Sequence, residues 1–209
     1  MSALDQIAHA QGRRDEAPNR ELARKLASRR DQEGVREIAR NLWNKDKNIQ
    51  ADCIKVLYEV GYLDPALIAP YVDDFLKLIR SRNNRLVWGG MIALATVARL
   101  KADAIFAHRD EIQQVMKAGS VITVDSGVLA LARAASQNAK YRTAIFPFLL
   151  GHLKTCRPKD VPQHCEKVLV AVDSSNKAQF VAVLRARLAD LSGGGLRRVT
   201  KVIKAADSL

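Results

Sequence analysis

Aromatic side chains are scarce in this chain: five phenylalanines, four tyrosines and two tryptophans make up 5% of 209 residues. A pocket walled by aromatic rings therefore has few residues to draw on. Cysteine is rarer still. Cys53, Cys156 and Cys165 form no CxxC pair, and an odd number in a chain of this size is not a disulfide framework, which points to a reducing cytoplasm. No stretch approaches the roughly 18 uninterrupted apolar residues of a membrane span, so no membrane partner is expected. The N-terminus lacks the apolar core of a secretory signal, and Asp5, Asp15, Glu16 and Glu21 do not suit a transit peptide.

Catalytic and cofactor motifs are missing as well. There is no GxGxxG, and Gly193-Gly194-Gly195 lacks the lysine and hydroxyl residue of a phosphate loop, so no cofactor is implied. No Ser-His-Asp arrangement assembles from the spacing. The carboxylate pairs Asp73-Asp74 and Asp110-Glu111 fall on outward helices, where solvated charge explains them.

What is present is an ordinary apolar fraction, 48%, with 27% charged residues and a net charge of +12. The chain can bury a core along its length, and its charge favours an anionic partner. Residues 1–50 hold 11 bases against 8 acids, whereas residues 151–209 hold 11 against 5, so the excess gathers at the C-terminal end.

The strongest signal is an internal period. Val56-Leu57-Tyr58-Glu59-Val60, Ala93-Leu94-Ala95-Thr96-Val97, Ala130-Leu131-Ala132-Arg133-Ala134 and Val168-Leu169-Val170-Ala171-Val172 share one pattern, with leucines 37, 37 and 38 residues apart. A weaker copy, Val202-Ile203-Lys204-Ala205-Ala206, follows after 34. A second apolar segment recurs between these anchors, around Leu67, Ile105, Ile145 and Phe180. Both kinds carry apolar residues three and four apart, which is a helical stripe. Gly61 reads as a helix end and Asp64-Pro65 as a capped start; Arg82-Asn83-Asn84, Gly119-Ser120, Arg157–Asp160, Ser174–Asn176 and Gly193–Gly195 read as further breaks. The expected outer helices are 27–43, 65–80, 103–118, 140–155 and 176–191, and the inner ones 47–60, 84–100, 121–137, 161–173 and 195–206.

This organisation resembles the HEAT-repeat (armadillo-type) family. Pro70 and Pro147 sit where that family kinks its outer helix, and Asp46 and Asn83 occupy its intra-repeat turn; Gln50, Val87 and Val124 depart from its usual arginine. The resemblance implies an all-α, right-handed superhelical solenoid of about five helical pairs over residues 20–209, preceded by a flexible or weakly helical leader, 1–19. It also implies that inner helices line a concave binding surface.

The register places Ala51, Trp88, Asp125 and Gln163 at one position of successive inner helices. Trp88 with Asp125, beside Arg85, could stack on and stabilise a base, with Asp125 as catalytic candidate; the plainer alternative is that Trp88 fills space beside Gly89-Gly90 and Asp125 brackets its helix start. The first alternative is similar, at fold level, to HEAT-like DNA alkylation-repair glycosylases. His152, Cys156 and His164 are metal-ligand candidates within a short stretch, while Cys165 lies on the buried stripe. Arg197, Arg198, Lys201 and Lys204 form a cationic terminal helix that serves either phosphates or solvent. Two functions follow: a non-catalytic module binding a protein or extended anionic partner, or a nucleic-acid-binding protein of the glycosylase kind. Oligomeric state is not legible.

Overall fold

The computed structural model describes residues 2–209, and among them every regular element is helical. The helices are α1 (Ala17–Arg29), α2 (Gln32–Arg40), α3 (Lys47–Leu63), α4 (Pro65–Ile68), α5 (Val72–Leu78), α6 (Asn84–Val97) and α7 (Ala102–Ala107). They continue as α8 (Arg109–Ala118), α9 (Val121–Ala135), α10 (Ala139–Thr155), α11 (Val161–Val168), α12 (Lys177–Ala186) and α13 (Gly193–Asp207). Among the described residues no helix is long and apolar enough to cross a membrane.

Short polar side chains start these helices. Asp31, Asp46, Asp64, Asn83, Ser120 and Asn138 each accept a hydrogen bond from a backbone N–H of the following turn. Each such cap is worth about 1 kcal/mol. The helices so delimited stack as an all-helical solenoid, with α1, α3, α6, α9, α11 and α13 packed in succession on the inner side. The outer row is α2, the α4–α5 pair, the α7–α8 pair, α10 and α12. Inner neighbours touch more extensively than outer ones, so the inner row is the more tightly packed side. Leu57, Leu94 and Leu131 are fully buried along the shared core.

Several expectations are corrected. Gly61 does not end a helix; α3 continues to Leu63, and a Cβ at Gly61 would meet Thr96 and lie 2.7 Å from Ile68 Cδ1, so this glycine admits close approach of α6. The first outer helix begins at Gln32 and not near 27, because Arg30 adopts φ 49° and separates α1 from α2. The fourth inner helix stops at Val168, continues as a 3-10 turn (Leu169–Ala171) and becomes extended at Val172, which leaves Leu169 only partly buried.

The kinks do not follow proline alone. Pro70 lies in a 3-10 turn (Ala69–Tyr71) between α4 and α5, but α10 runs unbroken through Pro147. The next break, at His108, has no proline. There His108 Nδ1 lies 3.0 Å from the Ala104 carbonyl and Arg109 donates to the Phe106 carbonyl at 3.0 Å, so side chains intrude on the helical ladder.

Within the stretch expected as a leader, α1 already begins at Ala17, and Ile7 and Asn19 are buried. Asn19 accepts from the Ala8 amide at 2.8 Å, Asp52 accepts from the His9 amide at 2.7 Å, and Glu37 accepts from the Ala3 amide at 2.8 Å. These bonds fasten residues 3–9 over the end of the stack.

Candidate functional site

The inner row brings three aromatic rings together. Tyr58 and Tyr62, one turn apart on α3, meet edge to face with centroids 6.1 Å apart, and Tyr58 leans on Trp88 of α6, also at 6.1 Å. Such tilted arrangements match positive ring edges to negative faces. Tyr58 is buried, Trp88 partly buried, and Tyr62 is 60% exposed. Lys55 Nζ stands 4.8 Å from the Tyr58 centroid and pairs with Glu59 at 2.7 Å and Glu16 at 2.9 Å. Burial alone would lower the Lys55 pKa, but its hydrogen bonds to Glu59, Tyr58 and Glu16 hold it above the usual lysine range.

Trp88 packs partly buried against the core beside Gly89 and Gly90. A Cβ at Gly89 would lie 2.8 Å from Ile54 Cγ1, and one at Gly90 would lie 3.1 Å from the Phe75 carbonyl, so the pair admits the close helix contact expected there. Asp125 does not cap α9, whose start is held by Ser120. Asp125 is instead gripped by α11: Gln163 Nε2 donates to it at 2.5 Å, Lys167 forms an ion pair with it, and His164 Nε2 stands 3.5 Å away. Burial pushes this carboxyl up, but hydrogen bonds from His164 and Lys167, with their charge, bring it below the usual carboxylate range. The contact with Gln163 realises the expected adjacency of equivalent positions.

His152 and His164 also meet. Nε2 of the first lies 2.9 Å from Nδ1 of the second, and together with Cys156 Sγ their ligand atoms fall within 4.8 Å of one another. Cys165 is excluded: it is fully buried, its thiol directed at the Pro162 carbonyl, 3.2 Å away, and burial with the Glu166 charge pushes it up to about 12. A cleft of about 310 Å³, lined among others by Val121, Val124, Thr155 and Asp160, opens beside the cluster.

The cationic terminal helix divides. Arg198 is committed to Glu166 through two hydrogen bonds of 2.8 and 2.7 Å, whereas among the described residues no ion pair holds the exposed Arg197, Lys201 or Lys204. Arg85 is exposed in the first turn of α6, its amide bonded to the Asn83 cap.

The residues missed from sequence are Tyr58, Tyr62, Lys55 and Lys167. The signal was available one turn further along the inner helices, where the same register aligns Lys55, Ile92, Leu129 and Lys167. That row begins and ends in lysine.

With this geometry in place, the resemblance to known structures is specific to architecture. A crystal structure of an engineered protein superposes with a TM-score of 0.67 at 18% identity, covering 100% of this chain and 98% of that one. A designed armadillo repeat protein, in complex with the peptide (KR)4, gives 0.66 at 14% identity, covering 99% of both chains. The chain has an armadillo-like helical-repeat fold. A second engineered protein gives 0.62 at 19% identity; 99% of this chain matches 58% of that one. No protein-family model and no curated protein matches the sequence.

Proposed function

We propose that the chain is a non-catalytic binding module whose inner-helix face takes an extended, acidic segment of another protein. The observation that carries this reading is the row Tyr62, Tyr58 and Trp88, with Lys55 over the Tyr58 ring: rigid amphipathic rings are among the side chains that dominate interface energetics. The net charge of +12 selects for acidic partners. The designed armadillo neighbour holds a basic peptide, so an equivalent use of the groove here requires the opposite sign.

The test is selection of ligands from a displayed peptide library, followed by anisotropy titration. Selected peptides should be acidic, and Trp88→Ala and Tyr62→Ala should each weaken them by about 2 kcal/mol, some thirtyfold. Ligands indifferent to both substitutions would sink the reading. A second reading, nucleic-acid binding through Arg85, Arg197, Arg198, Lys201 and Lys204, is favoured by the three cations of α13 that have no ion pair among the described residues. It requires duplex affinity that falls steeply with salt, and the glycosylase form further requires base release that disappears in Asp125→Asn.

A further inference from the structure

The His152, Cys156 and His164 cluster does not belong to the aromatic row and has no part in the binding function above. Its donors come from separate places: His152 from the last turn of α10, Cys156 from the residue that follows that helix, and His164 from α11. Two imidazole nitrogens facing each other at 2.9 Å share one proton, and a shift of that proton to the other nitrogen of its ring leaves both lone pairs directed into the same small space. The third donor atom, Cys156 Sγ, completes a set in which all separations are within 4.8 Å. Ligand atoms at 2.0–2.3 Å from a common ion lie roughly 3–4 Å from one another, so small side-chain rotations bring the three to one centre.

We propose that these three side chains bind a zinc ion, with the fourth position open to the adjoining cleft. The surroundings supply what such a site requires. Asp125 faces His164 Nε2 at 3.5 Å, a placement that favours the proton on that nitrogen and leaves Nδ1 for the ion, as carboxylates beside metal-ligating histidines do. Arg187, itself buried, donates to the carbonyls of Leu153 at 2.6 Å, Lys154 at 2.8 Å and Cys156 at 2.9 Å, so the backbone carrying the thiol is held in place. Two imidazoles and one thiolate are a borderline-soft set that suits zinc over magnesium or calcium.

Binding balances simply. His152 moves its proton from Nε2 to Nδ1, Cys156 releases its thiol proton to solvent, and three bonds to the ion form; one proton leaves per zinc bound. The cleft of about 310 Å³ leaves room for a water or a partner's side chain at the fourth position.

The test uses the untagged full chain, stripped with chelator and titrated with cobalt(II) as a spectroscopic stand-in and then with zinc by competition against a chromophoric chelator. One equivalent should bind, with tetrahedral-strength visible bands and a near-ultraviolet thiolate-to-cobalt band. Cys156→Ser should abolish the thiolate band, His152→Gln should weaken zinc tenfold or more, and Asp125→Asn should weaken it between about tenfold and a hundredfold. A wild-type chain that takes up no stoichiometric cobalt, or a thiolate band that survives in Cys156→Ser, overturns the proposal. Should Cys156→Ser fail to fold, the wild-type chain still decides: zinc must slow alkylation of Cys156 by iodoacetamide, and equal rates with and without zinc overturn it.

Discussion

At the scale of single residues, glycine carries two meanings that sequence alone does not separate. Gly61 stands near the end of an apolar stripe, where a glycine ordinarily signals a helix stop. Its real role depends on α6, 35 residues away in the chain at Thr96, whose side chain occupies the place a Cβ would need. Gly61→Ala should therefore destabilise the fold by up to about 2 kcal/mol: overpacking costs about 1–3 kcal/mol and the better helix propensity of alanine returns only about 1. Urea denaturation checks the sign, and a more stable variant would show that the Thr96 contact yields without strain. The same distinction explains the site. Trp88 and Asp125 were legible as one register position, but which neighbours hold them was not, because Tyr58, Lys167 and Gln163 enter through helix rotation and side-chain reach.

At the scale of elements, the sequence period located the inner and outer helices because their caps are local chemistry: Asp46, Asn83, Ser120 and Asn138 act within three residues of themselves. It missed α1 as a member of the inner row. Leu22, Ala23 and Leu26 precede Val56, Leu57 and Val60 by 34 residues and not 37, so a search anchored on the longer spacing passes over them. The other end behaves alike, with Ile203 34 residues after Leu169. Long-range stitching was also out of reach. Arg187 joins the end of α12 to the end of α10 through three carbonyls and also pairs with Asp190 at 2.6 Å. Arg187→Met should cost about 3 kcal/mol, since buried acceptors lose charged donors. The readout is the denaturation midpoint. A loss below about 0.5 kcal/mol, the level of an ordinary surface change, would mean that water replaces the guanidinium.

For the whole molecule, the positive charge is only partly free. Arg30–Asp64, Arg80–Glu111, Arg142–Asp173 and Arg198–Glu166 pair across successive segments of the stack, whereas three cations of α13 have no such pair among the described residues. The net charge was legible from composition, but this partition was not, because it depends on which carboxylates the superhelix brings near. Exposed pairs of this kind add little stability each. Their effect is on where an anionic partner finds unneutralised charge.

The terminal helix α13 begins with Gly193, Gly194 and Gly195 in its first turn, Gly193 at φ 52°. Each glycine inside a helix costs about 1 kcal/mol relative to alanine, and among the described residues α13 packs on the inner row against α11. In a linear array a weakened unit opens without waiting for the rest. Hydrogen exchange should therefore show α13 amides exchanging well before those of α6 and α9, and uniform protection would refute independent opening. The cations Arg197, Lys201 and Lys204 then ride on a segment that opens ahead of the central helices. A polyanion that captured them could hold the open form, so α13 would act as a tether on the rigid core.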